Sequence, residues 1–247
     1  MVSSPPVKRK LNVCLVEFCV TVVFGVRCGR LYRVADGLRR GIFLVMQKAC
    51  GSGKKVVICV CGLTGCGKSS VARRLAQRYG LKYFSGGNTM KALAVEAGYK
   101  ICERGWWESE EGLRFLKLRT ENSGFDRKVD EKLLELAKDG DVVLDSWTMP
   151  WLLEEGFKIW FEASPMARAK RAAKRNRITV GAALKILKKK DNLARKIYRN
   201  LYGFVLGEDF SPFDVILSTD LLSVREVFGV VCLVVDRWFL GKRGGSE

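Results

Sequence analysis

The nine residues Gly62, Leu63, Thr64, Gly65, Cys66, Gly67, Lys68, Ser69 and Ser70 hold the pattern G-x-x-x-x-G-K-[ST], which suits a bound phosphate chain. Its glycines let backbone N–H groups turn toward an anion, and the positive end of a following helix adds to their pull. In that arrangement Lys68 reaches the β- and γ-phosphates of a nucleoside triphosphate, and the Ser69 hydroxyl ligates Mg²⁺. The plainer alternative is a glycine-rich turn between a strand and a helix that holds nothing. The motif is silent on which group receives the phosphate.

Three further groups could act with it. DVVLD, residues 141–145, is a short apolar run ending in Asp145, where a carboxylate can organise Mg²⁺; an aspartate after a strand can equally be a turn former or a helix cap. Arg168, Arg171 and Arg175 recur at three- and four-residue spacing, so a helix there stacks them on one face. A lid needs such a stripe to bring guanidinium groups onto a transferring phosphoryl group, although an ordinary solvated face is also charged. Lys91 follows a glycine turn at Ser85 and Gly86, and could hold an acceptor's phosphate or face solvent. Trp106 and Trp107 could pack together or stack on a base.

These groups need a framework. VVICVC, residues 56–61, reads as a strand leading into the glycine loop. After the loop Val71, Ala72, Leu75, Ala76 and Tyr79 recur at helical spacing, and Gly80 sits where a C′ glycine belongs. Further strands are expected at 81–84, 141–145, 157–163 and 214–219, and helices at 85–98, 125–138, 164–202 and 224–240. The alternation predicts an α/β fold, a three-layer sandwich with a parallel sheet of about five strands. The glycine loop then lies at the carboxyl end of the first strand, and residues 164–202 form a helical, arginine-rich lid.

Composition narrows the chemistry. A chain of 247 residues, 48% of them hydrophobic, can bury a full core. The absence of histidine excludes a Ser-His-Asp triad, whereas phosphoryl transfer works by positioning and charge. Nine cysteines without CxxC pairs point to reduced thiols and a cytoplasmic location. No apolar run reaches the roughly 18 residues of a membrane span, so no membrane partner is expected. Of the formal net charge of +18, half lies in residues 1–55, where eleven Lys/Arg face only Glu17 and Asp36. Residues 1–50 are therefore expected to be a basic, poorly ordered extension, with Met46 a candidate start. Residues 51–241 would form the working domain and 242–247 a tail. The basic balance of that domain suits a grip on two anionic nucleotides, and also nucleic-acid binding.

The span from Val56 to Val235 resembles the nucleoside monophosphate kinases, most closely the archaeal-type cytidylate kinases. GLTGCGKSSVARRLA, SGGNTMKALA, FDRKVDEKLLELAKDGDVVLD, KIWFEAS with ARAKRAAKR, DNLARKIYRNLYG and SPFDVILST carry the likeness. It implies a P-loop NTPase fold and transfer of the γ-phosphate of ATP, with Mg²⁺, to CMP or dCMP, by what is expected to be a monomer. By the same likeness Lys68, Arg168, Arg171, Arg175 and Arg195 would act on the phosphoryl group, and Ser69 and Asp145 would hold the metal. Ser85, Gly86, Lys91, Asp191 and Arg195 would receive the acceptor. Lys91 stands where the family has an arginine, and the family's D-x-x-x-R-x-x-Y is kept as Asp191, Arg195 and Tyr198. DSWTMPW, residues 145–151, replaces a G-R-L-x-G-W-like stretch and is closer to the D-G-[FY]-P of adenylate kinases. A pocket walled by Trp147, Met149 and Pro150 is expected to select pyrimidines broadly rather than sharply. The rival readings are a P-loop kinase of another small molecule and an ATP-dependent nucleic-acid or ribosome-assembly factor.

Overall fold

In the computed structural model residues 10–15, 18–24, 55–102 and 105–243 are described, with side chains over 55–102 and 105–239. In chain order the strands are β1 (Lys10–Leu15), β2 (Phe18–Phe24), β3 (Val57–Gly62), β4 (Lys82–Ser85), β5 (Val142–Asp145), β6 (Phe157–Glu162) and β7 (Val215–Ser218). The helices are α1 (Lys68–Tyr79), α2 (Gly86–Glu96), α3 (Glu110–Glu121), α4 (Gly124–Asp139), the single turn α5 (Met149–Leu152), α6 (Pro165–Asn176), α7 (Val180–Tyr202) and α8 (Val224–Arg243). A one-turn 3-10 helix, Trp106–Glu108, precedes α3.

β3 is the centre of the sheet. Side chains alternate along it, so Ile58 and Val60 join one buried cluster while Cys59 and Cys61 turn to the other face. It pairs in parallel with β5 on one side and β6 on the other, and β4 and β7 extend the sheet outward, giving β4-β5-β3-β6-β7. Parallel strands need long crossovers, which the helices supply, and both faces are then covered. Val71 and Leu75 of α1 pack with Val227 and Val231 of α8 on one face. Met90 of α2, Phe115 of α3 and Leu133 of α4 cover the other beside β5. Because the crossover from β3 runs to β4 on one side and the crossover from β5 runs to β6 on the other, the carboxyl ends of β3 and β5 flank the switch-point crevice where ligands of such sheets bind.

Two features depart from the expected pattern. The sheet has seven strands, because β1 and β2 form an antiparallel hairpin whose second strand pairs antiparallel with β7. They lie in the leader, where the alternation is poor and no strand was expected. FCVTVVF is nonetheless rich in β-branched and aromatic residues, and β7 without it would be an open edge. The stretch 164–202 is two helices, broken where Arg177 takes a left-handed φ of 56° and Thr179 caps α7 by accepting from Ala182 N. Alanines at 169, 172, 173 and 183 let α6 and α7 pack closely around Leu187. Met46, residues 51–54 and the end of the tail, 244–247, lie outside the described residues.

Candidate active site

The loop from Gly62 to Ser70 joins β3 to α1, and its shape depends on glycine at three points. Gly62, Gly65 and Gly67 have φ of 147°, 90° and 96°. A methyl group on Gly65 would lie 2.9 Å from Arg168 O, so the loop also needs glycine for its close approach to α6. Within the loop Cys66 N donates to Leu63 O at 3.2 Å, and Ser70 N and Val71 N donate to Gly67 O.

The outward carbonyls of this loop are held by the protein. Arg168 Nη1 donates to Thr64 O at 3.2 Å, Arg171 Nη1 to Gly65 O at 3.4 Å, and the Thr219 hydroxyl to Cys66 O at 3.1 Å. A trans peptide points its C=O and N–H in opposite directions, so anchoring Thr64 O and Cys66 O aims the N–H groups of Gly65 and Gly67 away from the lid and into the crevice. Neither N–H, nor that of Ser69, donates to another backbone group among the described residues, and the Lys68 N–H reaches only the neighbouring Cys66 thiol. The start of α1 has no side-chain cap and no acidic residue in its first turn. A helix N-terminus left with free donors and no internal counter-charge fits an anion.

Lys68 opens α1, and its ammonium makes no hydrogen bond or ion pair to a described residue. It lies 5.9 Å from the centre of the Trp147 ring, whose Nε1 donates to Gly62 O at 2.8 Å. Trp147 thus fixes the start of the loop and presents a flat face to the lysine. The Cys61 and Cys66 thiols beside it are buried, and burial raises their pKa, so they stay protonated and serve packing.

Asp145 ends β5 in register with Val60 of β3 and Ser85 of β4. Its carboxylate is buried, and Oδ2 accepts from Tyr83 OH at 2.9 Å. Ser85 caps α2 by accepting from Asn88 N, and Gly86 lies close to Ser146, since a methyl there would sit 3.6 Å from Ser146 Oγ. Ser85, Gly86, Asp145 and Ser146 therefore share one wall of the crevice. Lys91, half-buried on α2, has no bond or ion pair to a described residue. An unpaired lysine, a buried carboxylate and a row of amides suit a triphosphate with Mg²⁺.

The lid arginines separate into two kinds. Arg168 is buried against Asp191, and Arg171 donates through Nη1 to Thr219 Oγ1 at 3.0 Å and through Nη2 to Thr219 O, so both brace the loop from behind. Arg175 is half-exposed and donates to Glu108 Oε2 at 3.1 Å. Arg195 is held by Leu206 O at 3.1 Å and lies 3.6 Å from Glu208. Of the residues singled out from sequence, Asp191 is thus joined to the lid's own arginine. Met149 is fully buried and Pro150 also turns inward, leaving Ser146 and Trp147 on the crevice side of DSWTMPW. Thr219, Tyr83 and Glu108 belong to this geometry but carry no motif; their roles arise only from contacts across the fold.

A phosphate-binding loop at the switch point of a parallel sheet, braced by an arginine-bearing helical hairpin, defines a P-loop phosphotransferase. The chain belongs to the cytidylate kinase-like family, whose model matches residues 57–221. It is 34% identical over 183 residues to the cytidylate kinase of Pyrococcus horikoshii, covering 74% of this chain and 89% of that one. To the cytidylate kinase of Methanocaldococcus jannaschii it is 30% identical over 186 residues, covering 73% and 98%. Among solved structures, a shikimate kinase from Bacteroides thetaiotaomicron aligns with a TM-score of 0.47 at 13% identity, over 74% of this chain and 99% of that one. Among the described residues no helix is long and apolar enough to cross a membrane.

Proposed function

We propose that this protein transfers the γ-phosphoryl group of ATP to CMP or dCMP, with Mg²⁺ at Ser69 and Asp145. The observation that carries the reading is Lys68: a cation with no hydrogen bond or ion pair to a described residue, beside the inward-turned N–H groups of Gly65, Gly67 and Ser69, in a member of this family. ATP with Mg²⁺ supplies the transferable phosphoryl group. The residues of the chain hold and neutralise it. The N–H groups of Gly65, Gly67, Lys68 and Ser69 grip its oxygens, and the Lys68 ammonium offsets charge that grows during transfer. Lys91 and the wall of Ser85, Gly86 and Ser146 receive the acceptor, which places its phosphate in line with the loop. Arg175 approaches from the lid. Arg168 and Arg171 act indirectly, by keeping the loop's amides turned inward. No general base is required.

Turnover of all common ribo- and deoxyribonucleoside monophosphates with ATP and Mg²⁺ tests the reading. CMP or dCMP should have the highest kcat/KM. AMP as the best acceptor would overturn the cytidylate assignment, and turnover of none would overturn the kinase reading of this site.

A further inference from the structure

Glu108 carries three bonds that the reaction as described does not use. Its Oε1 accepts from Lys190 Nζ at 2.7 Å, and its Oε2 accepts from Arg175 Nη2 and Asn176 Nδ2, each at 3.1 Å. The carboxylate sits in the 3-10 turn between α2 and α3, on the acceptor side of the crevice, whereas its donors come from both helices of the lid. The Glu108 and Lys190 side chains are only 5% and 4% exposed. Burial pushes Glu108 up, but the cations of Lys190 and Arg175 outweigh it and hold the group below the usual carboxylate range.

Neighbouring groups follow one another around this carboxylate from one substrate wall to the other. A methyl on Gly87, in the acceptor turn, would lie 3.9 Å from Trp107 Nε1, and the Lys190 ammonium lies 5.8 Å from the centre of the same Trp107 ring. Lys190 meets Glu108, Glu108 meets Arg175, and α6 continues to Arg171 and Arg168, which grip the phosphate loop. Gly105 allows the approach, because a methyl there would meet Asn176 Oδ1 at 3.1 Å and its φ is 69°. A buried ion pair is weak evidence for stability alone, since apolar residues of similar volume often serve as well. Three convergent donors instead fix one relative placement of two elements.

We propose that Glu108 is a positioning residue that ties the acceptor arm to the lid, so that binding of the donor nucleotide prepares the acceptor site and the reverse. It touches neither nucleotide. It acts through Lys190, Arg175 and Asn176, and its effect is a coupling between two binding events, which must be reciprocal. This inference rests on the kinase reading above.

The test is calorimetric titration of CMP into the protein with and without a non-hydrolysable ATP analogue and Mg²⁺. In the parent protein the analogue should tighten CMP by about tenfold, a typical coupling. In Glu108→Gln the factor should fall to within about twofold of unity, while affinity for each nucleotide alone changes less. Glu108→Asp should restore part of it. Should Glu108→Gln melt too low to titrate, Asn176→Ala, which removes one of the three donors and lies outside the phosphoryl site, should still weaken the coupling. Full coupling in the measurable variants would overturn the proposal, as would a parent protein that binds both ligands independently. A parent protein that binds neither ligand sinks the kinase reading, and this inference with it.

Discussion

Arg168 and Asp191 form a two-point ion pair beneath the phosphate loop, with Nη2 2.6 Å from Oδ2 and Nη1 3.3 Å from Oδ1. Both side chains are almost wholly enclosed, at 5% and 6% exposure, and the same guanidinium holds Thr64 O. Removing one member of such a pair strands a buried charge, which costs about 3–5 kcal/mol. Arg168→Met should therefore lower unfolding stability by that order in urea at neutral pH. Arg168→Met with Asp191→Leu should recover much of it, since a matched apolar pair leaves no stranded charge. A single variant as stable as the parent would show that the pair carries no such penalty.

Lys68 should behave in the opposite way. Its ammonium bonds to no described residue, so Lys68→Ala removes little that holds the fold. It does remove charge aimed at the transferring group, and losses of about 10²–10³ in kcat follow from deleting one such donor. Steady-state rates with ATP and CMP, taken beside a melting curve, check both halves. Near-parental kcat would remove Lys68 from the mechanism.

Local rules carried much of this structure and stopped where contacts became distant. The strand, glycine loop and helix around Gly62–Ser70 are legible because each depends on neighbours in sequence: an apolar run, three residues able to take positive φ, and helical spacing that ends at Gly80. Asp145 is legible as a strand-end acid for the same reason. The spacing of Arg168, Arg171 and Arg175 placed them on one face, and they do share one. Their partners were not legible, because Thr64, Gly65, Asp191, Thr219 and Glu108 lie 23 to 106 positions away and are chosen by packing. The break at Arg177 was missed because no glycine or proline marks it. The β1–β2 hairpin was missed because pairing with β7, and not alternation, places it. DSWTMPW misled for a related reason: apolar side chains suggested a pocket wall, yet Met149 and Pro150 fill the core beneath it.

Asp130 gives stability a measurable pH dependence. Burial raises its pKa to about 6, against the donors Thr148 Oγ1 at 2.5 Å and Tyr202 OH at 2.7 Å, which favour the charged form. A carboxyl raised in the folded state holds a proton that the unfolded chain releases. Its contribution to stability is therefore fully present below the ordinary carboxylate range, near pH 4, and is lost as pH rises through about 6. Asp130→Asn keeps an acceptor for Thr148 and cannot titrate. The difference in urea midpoint between parent and variant should shift in favour of the variant between pH 4.5 and 7, in the window set by that raised pKa. A difference constant with pH would mean that Asp130 titrates normally.

Trp147 tests whether the loop's first carbonyl matters to chemistry. Its Nε1 donates to Gly62 O at 2.8 Å, and its ring lies 5.9 Å from the Lys68 ammonium. Trp147→Phe keeps an aromatic face for the cation but loses the donor, leaving Gly62 O to water or to no partner. One neutral hydrogen bond is worth about 0.5–1.5 kcal/mol, so the cost in stability should be of that size. If the bond also sets where Lys68 points, the loss will be greater in kcat than in KM for ATP, because misplacement harms the transition state more than the ground state. A fall in kcat of about tenfold corresponds to 1.4 kcal/mol, within reach of a single misdirected cation. Equal changes in kcat and KM would reduce Trp147 to packing, and a variant with parental kcat would separate the placement of Lys68 from the carbonyl of Gly62.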